Sequence, residues 1–204
     1  MTSWRRVYQP GGTVFFTLVT EGRAPILTTS DGRRILRSVM SACRERWPFK
    51  IPATVLLPDH LHTIWTLPDG DSDYSTRWAW LKKEFTKAWL ESGGTEQVIS
   101  LSRRSNRRRG VLQRRFWEHT IRDERDFQRH LNYIHYNPVR HGYADCAVKW
   151  PWSSFHRYLR NGMYTRNGAA RSCASPTSSI PLGNNAPTVR AGDSSPTFSQ
   201  WFAI

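Results

Sequence analysis

Acidic residues are scarce in this chain. Sixteen aspartates and glutamates face 30 lysines and arginines, giving a formal net charge of +14 over 204 residues and a pI near 10.5. A surface that positive disfavours small neutral substrates and favours a polyanion, with nucleic acid the first partner to consider. Cysteine is scarce too. Cys43, Cys146 and Cys173 are odd in number, widely spaced and lack a C-x-x-C pair, which argues against a disulfide framework or a zinc knuckle and leaves ordinary reduced thiols as the expectation. No window approaches eighteen continuous apolar residues, and Met1 to Gly12 holds no apolar signal core. A membrane partner is therefore not expected, and the expected location is the cytoplasm, associated with the nucleoid. Internal repeats are absent.

Aromatic residues are abundant: ten tryptophans and 13% Phe, Trp and Tyr argue for a folded chain, and its length suits one domain with a real core. Thr13–Val19, after the Pro10-Gly11-Gly12 turn, reads as a strand. Asp31 to Trp47 carries Ile35, Val39, Met40 and Cys43 at helical spacing and stops at Pro48. Two apolar runs, Ile51 to Leu57 and His60 to Leu67, flank Leu57-Pro58-Asp59, either as a hairpin or as one bent strand. Ser75 to Leu90 places Trp78, Leu81, Phe85 and Trp89 on one helical stripe, read as core rather than a base-stacking platform. Phe116 to Arg122 predicts a short strand, Asp123 to Asn137 a helix ended by Pro138, and Ser153 to Asn161 a last short helix. This order predicts an α+β fold, an antiparallel sheet with helices packed on one face and the other face open for a substrate.

Composition divides the chain into a domain over 1–165 and a low-complexity tail over 166–204, expected to be disordered or loosely docked. Within the domain, a basic loop at about 92–115 reads as a mobile, nonspecific phosphate-binding arm. Arg103, Arg104, Arg107, Arg108, Arg109, Arg114 and Arg115 there, with Arg5 and Arg6 near the N-terminus and Lys82, Lys83 and Lys87 on the second helix, are the candidate DNA contacts.

His60-Leu61-His62 is the sharpest motif. Side chains alternate along a strand, so the two imidazoles leave the same face from backbone positions about 7 Å apart. Such a pair also arises by chance, and its weight comes from the last long helix. There Phe127, Leu131 and Ile134 form the apolar stripe, and rotation by about 100° per residue gathers Asp126, His130, Tyr133 and Asn137 on an adjoining face. A helix packed edge-on to the histidine strand brings Asn137 towards His60 and His62, with Tyr133 one turn away. Two neutral imidazoles and an amide oxygen suit Mg²⁺ or Mn²⁺ bridging a phosphate oxygen. A phenol with an ordinary pKa of about 10 is a poor nucleophile unless the phosphodiester is activated and held in line; attack then gives a phosphotyrosine. His119, His130 and Glu118 are accessory candidates, whereas His135, His141 and His156 read as surface or structural residues.

LPDHLHTIWTLP (57 to 68), RFWEHTIRDERDF (115 to 127) and NYIHYNPVRHG (132 to 142), with YQPGGTVFFT (8 to 17) and WPWSSF (150 to 155), resemble the REP-associated tyrosine transposases. These are relatives of the single-tyrosine HUH transposases, HUH denoting His-hydrophobic-His. The resemblance spans about residues 1 to 165 and implies a ferredoxin-like or RRM-like palm. It also implies His60 and His62 as metal ligands, Asn137 as a third polar ligand and Tyr133 as nucleophile. The implied reaction is cleavage and rejoining of single-stranded DNA at hairpins of repetitive extragenic palindromes, through a 5′-phosphotyrosine with a free 3′-OH, by a monomer or homodimer. Two other classes compete: a hairpin-binding protein without cleavage, and a metal-dependent hydrolase that uses water rather than Tyr133.

Overall fold

The computed structural model describes residues 8–105 and 109–164. Its centre is a four-stranded sheet, every neighbouring pair antiparallel, built from β1 (Thr13–Val19), β2 (Lys50–Leu56), β3 (His60–Thr66) and β4 (Trp117–Thr120) in the order β2-β3-β1-β4. With α1 (Ser30–Arg46) between β1 and β2 and α2 (Tyr74–Glu91) between β3 and β4, this is the ferredoxin-like arrangement. β2 and β3 form a hairpin, which resolves the Leu57-Pro58-Asp59 alternative in favour of a turn.

Alternation along the strands decides the two faces. Val14, Phe16, Leu18, Leu61 and Trp65 point into the larger core, where they meet Ile35, Leu36, Val39 and Met40 of α1 and Trp78, Leu81, Phe85 and Trp89 of α2. The aromatic stripe of α2 is therefore core. Capping fixes where these helices begin: the side chains of Thr29 and Asp73 accept hydrogen bonds from the Gly32 and Thr76 amides, at 3.0 Å each, satisfying amides that have no partner in the first turn.

The α+β antiparallel sheet matches expectation, but the helices are not confined to one face. α4 (Glu124–Arg140) lies on the other, where Leu131 and Ile134 join Phe15, Ala53, Val55, Leu57 and Ile64 in a second core. Both strands of the hairpin are buried over most of their length, on both faces of the sheet, so both faces need cover. The short helix α5 (Phe155–Arg160) follows a segment that seals the exposed edge of β2: Leu56 N donates to Trp152 O and Thr54 N to Ser154 Oγ. Covering an edge in this way removes a pairing template.

Three further expectations change. Pro138 does not end α4; it sits inside it. The basic loop holds a short helix, α3 (Leu101–Ser105), and its far end is tied to β1 because Val111 and Leu112 are buried, with Glu21 N donating to Val111 O and Gln113 N to Val19 O. Cys43 is a free buried thiol, whereas Cys146 is disulfide-bonded rather than reduced. No helix among the described residues is long and apolar enough to cross a membrane. The 166–204 tail lies outside the described residues.

Candidate active site

β3 carries His60 and His62 on the sheet face that α4 covers. In register, Thr17 of β1 lies opposite His62 and Val19 opposite His60, so the two histidines share a wall with Phe15, Thr17 and Val19. Each imidazole has its Nδ1 occupied by an oxygen: Asp59 Oδ1 at 2.6 Å from His60, and Thr17 Oγ1 at 2.8 Å from His62. At His60 the carboxylate accepts, so Nδ1–H donates and Nε2 is left with a bare lone pair, the arrangement that prepares a histidine to bind a metal; the Thr17 hydroxyl can hold His62 in the same tautomer. Asp59 is suited to this support. Burial would raise its pKa, yet the bonds from His60 and Arg23 outweigh burial and hold the carboxyl below its ordinary value. Burial, reinforced by the neighbouring His60 and His141, lowers His62 to about 3, which keeps it neutral and available as a ligand near neutral pH.

The apolar stripe of α4 fixes its rotation. With Leu131 and Ile134 in the second core, the Tyr133 ring comes to 5.1 Å from His62 and 5.9 Å from Phe15, edge-on to both. Two turns later His141 lies 5.1 Å from His60. Asn137 falls midway between Tyr133 and His141 along α4, on the same helical face. It is fully buried, and neither Oδ1 nor Nδ2 has a hydrogen-bond partner among the described residues; the same holds for His62 Nε2. Buried polar atoms are costly without partners, and two of these three, His62 Nε2 and Asn137 Oδ1, are atoms of the kind that ligate a metal ion. The residues present fit one. All of them belong to one chain.

No model of a known protein family matches the chain. A REP-associated tyrosine transposase of Escherichia coli (strain K12) is 40% identical over 164 residues, which are 80% of this chain and 88% of the relative. The chain belongs to the REP-associated tyrosine transposases. A candidate REP-associated tyrosine transposase of Haemophilus influenzae is also 40% identical over 164 residues, 80% of this chain and 91% of that one. A solved structure of the REP-associated tyrosine transposase bound to a REP hairpin matches with a TM-score of 0.66 at 35% identity, covering 92% of this chain and 100% of that chain.

In this member of the REP-associated tyrosine transposases, the histidines and Tyr133 open onto a cleft of about 490 Å³, also walled by Phe15, Thr17, Val19, Arg23, Trp117, His130 and His141. His119 and His130, stacked 4.6 Å apart, both contact Asp126: His119 Nε2 is 2.8 Å from Oδ2, and His130 Nδ1 donates to the Asp126 carbonyl at 2.9 Å. Burial would raise the Asp126 carboxyl, but His119 and the Arg122 backbone hold it down at about 2. His119, Asp126 and His130 bring one ligand atom each within 4.8 Å of one another, close enough to hold an ion. Both histidines already bond Asp126, whereas His62 Nε2 and both amide atoms of Asn137 have no partner among the described residues. Glu118 pairs with Phe16, on the sheet face turned away from the histidines, and so is not a ligand.

The basic residues are less free than their sequence suggests. Arg103 makes two bonds to Glu21, at 2.9 and 2.6 Å, and Arg109 two to Glu96, at 2.7 and 3.1 Å. Lys82 donates to the Arg114 carbonyl at 2.6 Å and lies over Phe116. Lys83 and Lys87 stay exposed, with loose contacts to Glu84 and Glu91 at 3.8 and 3.9 Å, and Arg104, Arg114 and Arg115 are exposed. Arg5, Arg6, Arg107 and Arg108 lie outside the described residues. Four site residues escaped the sequence reading: Asp59, Thr17, Arg23 and His141. Asp59 carried a signal in the sequence, a carboxylate directly beside His60; the others come from segments with no local signature.

Proposed function

We propose that this protein cuts and rejoins single-stranded DNA at REP-like hairpins, with Tyr133 as the nucleophile and His60, His62 and Asn137 holding a divalent metal ion. The observation that carries the reading is the meeting of the Tyr133 ring with His62 in one cleft, 5.1 Å apart, although they are 71 positions apart in sequence. The phenolic oxygen attacks phosphorus, the P–O3′ bond breaks, and the strand is left as a 5′-phosphotyrosine and a free 3′-OH. Reversal of the same steps rejoins it without an external energy source. A bound Mg²⁺ or Mn²⁺ would supply Lewis acidity at a phosphate oxygen. Phe15 and His62 pack edge-on against Tyr133 and restrict its ring, while the Arg140 guanidinium lies over the same ring, 5.8 Å from its centroid, within cation–π reach. With DNA as its substrate, the protein works in the cytoplasm at the nucleoid.

The test is incubation with labelled hairpin DNA and Mn²⁺ or Mg²⁺, followed by a search for a protein–DNA adduct that survives denaturation. The adduct is expected from the unsubstituted protein and not from Tyr133→Phe, which should still bind the hairpin. Cleavage that survives the substitution would assign the nucleophile elsewhere, to water among others.

A further inference from the structure

Arg23 stands in the cleft wall with no motif to announce it. It ends the Glu21–Arg23 turn after β1 with φ +54°, the one non-glycine residue at positive φ among the described residues. That conformation costs a side-chain-bearing residue on the order of 1 kcal/mol or more, and glycine would avoid the cost. The turn is held closed: Thr20 Oγ1 donates to Ala24 O and Asp59 O, at 2.9 and 3.0 Å, and Thr20 N donates to Asp59 O at 2.9 Å.

The guanidinium is aimed by one bond, from Nη1 to Asp59 Oδ2 at 2.8 Å. The other oxygen of the same carboxylate takes His60 Nδ1 at 2.6 Å. One carboxylate therefore sets a permanent cation and a candidate metal ligand side by side. The Arg23 side chain nevertheless keeps 64% of its surface exposed, and the rest of its donor fork has no protein partner among the described contacts. The cleft wall contains no aspartate or glutamate, and Arg23 is its only lysine or arginine. A planar fork of N–H donors matches two oxygens of a phosphate, which a lysine cannot reproduce.

We propose that Arg23 is a catalytic residue that grips the phosphate at which the strand is cut. This rests on the reading of Tyr133 as nucleophile. As the Tyr133 oxygen–phosphorus bond forms and the P–O3′ bond breaks, negative charge gathers on the non-bridging oxygens, and the guanidinium donates to them there. Arg23 gives up no proton; the phenolic proton of Tyr133 passes to solvent water, and the departing 3′ oxygen takes one from it.

The experiment compares unsubstituted protein, Arg23→Asn and Arg23→Lys on two hairpins, one normal and one with an uncharged methylphosphonate at the cleavage position. Asparagine tolerates positive φ, so the turn survives the loss of the guanidinium. On the normal hairpin, Arg23→Asn should form adduct about 100-fold more slowly with hairpin affinity nearly unchanged, and Arg23→Lys should recover only part of the loss. On the methylphosphonate, where no phosphate charge needs neutralising, the deficit of Arg23→Asn should shrink by at least about tenfold. Adduct formed at the same rate by Arg23→Asn overturns the assignment. So does an equal deficit on both hairpins, which would mean that Arg23 acts only by bracing Asp59 and His60. Failure of the unsubstituted protein to form any adduct on the normal hairpin overturns the Tyr133 reading, and this one with it.

Discussion

Asn137 is the residue whose environment departs furthest from ordinary packing. A primary amide with both polar atoms buried and unpartnered lowers stability by about 1–3 kcal/mol relative to an apolar group of similar shape. Asn137→Leu is therefore expected to raise the metal-free melting temperature, by about 2–4 °C per kcal/mol recovered for a chain of this size, and to reduce the stabilisation that added Mn²⁺ gives the unsubstituted protein. Thermal unfolding with and without Mn²⁺ measures both. A lower metal-free melting temperature would show that Asn137 is a structural amide. Mn²⁺ is expected to bind more tightly than Mg²⁺, since two of the three proposed donors are imidazoles, which Mg²⁺ accepts less readily than carboxylate and water.

The element on which the site depends is α4. Asp123 caps its start, accepting from the Asp126 amide at 2.8 Å. Its end is set by Gly142, at φ +72°: Tyr143 N donates to Pro138 O at 2.9 Å and Gly142 N to Val139 O at 3.0 Å, the paired bonds of a Schellman motif. Pro138 removes one N–H from the last turn, and the helix tolerates that loss because the Schellman bonds and burial in the core hold the turn together. The extra turn is what carries His141 to His60. Gly142→Ala forces a Cβ into the left-handed region and is expected to cost roughly 1–2 kcal/mol, read as a lower denaturation midpoint in urea. An unchanged midpoint would mean that this end frays at no cost.

Across the whole molecule, one buried chain of hydrogen bonds joins three separate segments. Thr54 N donates to Ser154 Oγ, Ser154 Oγ–H to His135 Nε2, His135 Nδ1–H to the Tyr164 hydroxyl, and that hydroxyl to Asn132 Oδ1. Only a neutral His135 satisfies this order. Burial, with the charges of Arg157 and His156, lowers its pKa from 6.5 to about 3. The unfolded chain thus binds a proton that the folded one refuses, and this contribution to stability is whole above pH 6.5 and lost as pH falls towards 3. The expected loss is about 2 kcal/mol between about pH 7 and pH 5. Urea unfolding at the two pH values should show it; because His62 is lowered to a similar value and loses its own contribution over the same range, His135→Gln should reduce the dependence without abolishing it, and an equal slope in that variant would point to other groups.

Local pattern was enough for the strands, for the two long helices that cover the larger core, and for placing His60 with His62 on one strand face and Tyr133 with Asn137 on one helix face, because periods of 2 and 3.6 fix which side chains share a face. The same pattern misled at Pro138, where an intrinsic helix breaker was outweighed by a cap four residues later, and in the basic loop, where Arg103 and Arg109 found carboxylates at Glu21 and Glu96 that charge alone did not pair with them. It was also silent on Arg23, Thr17 and His141. Which face α4 covers, and which residues of β1 and its following turn stand opposite His60 and His62, depends on strand order and on burying both sides of the β2–β3 hairpin. Those are long-range conditions, and only the tertiary structure meets them.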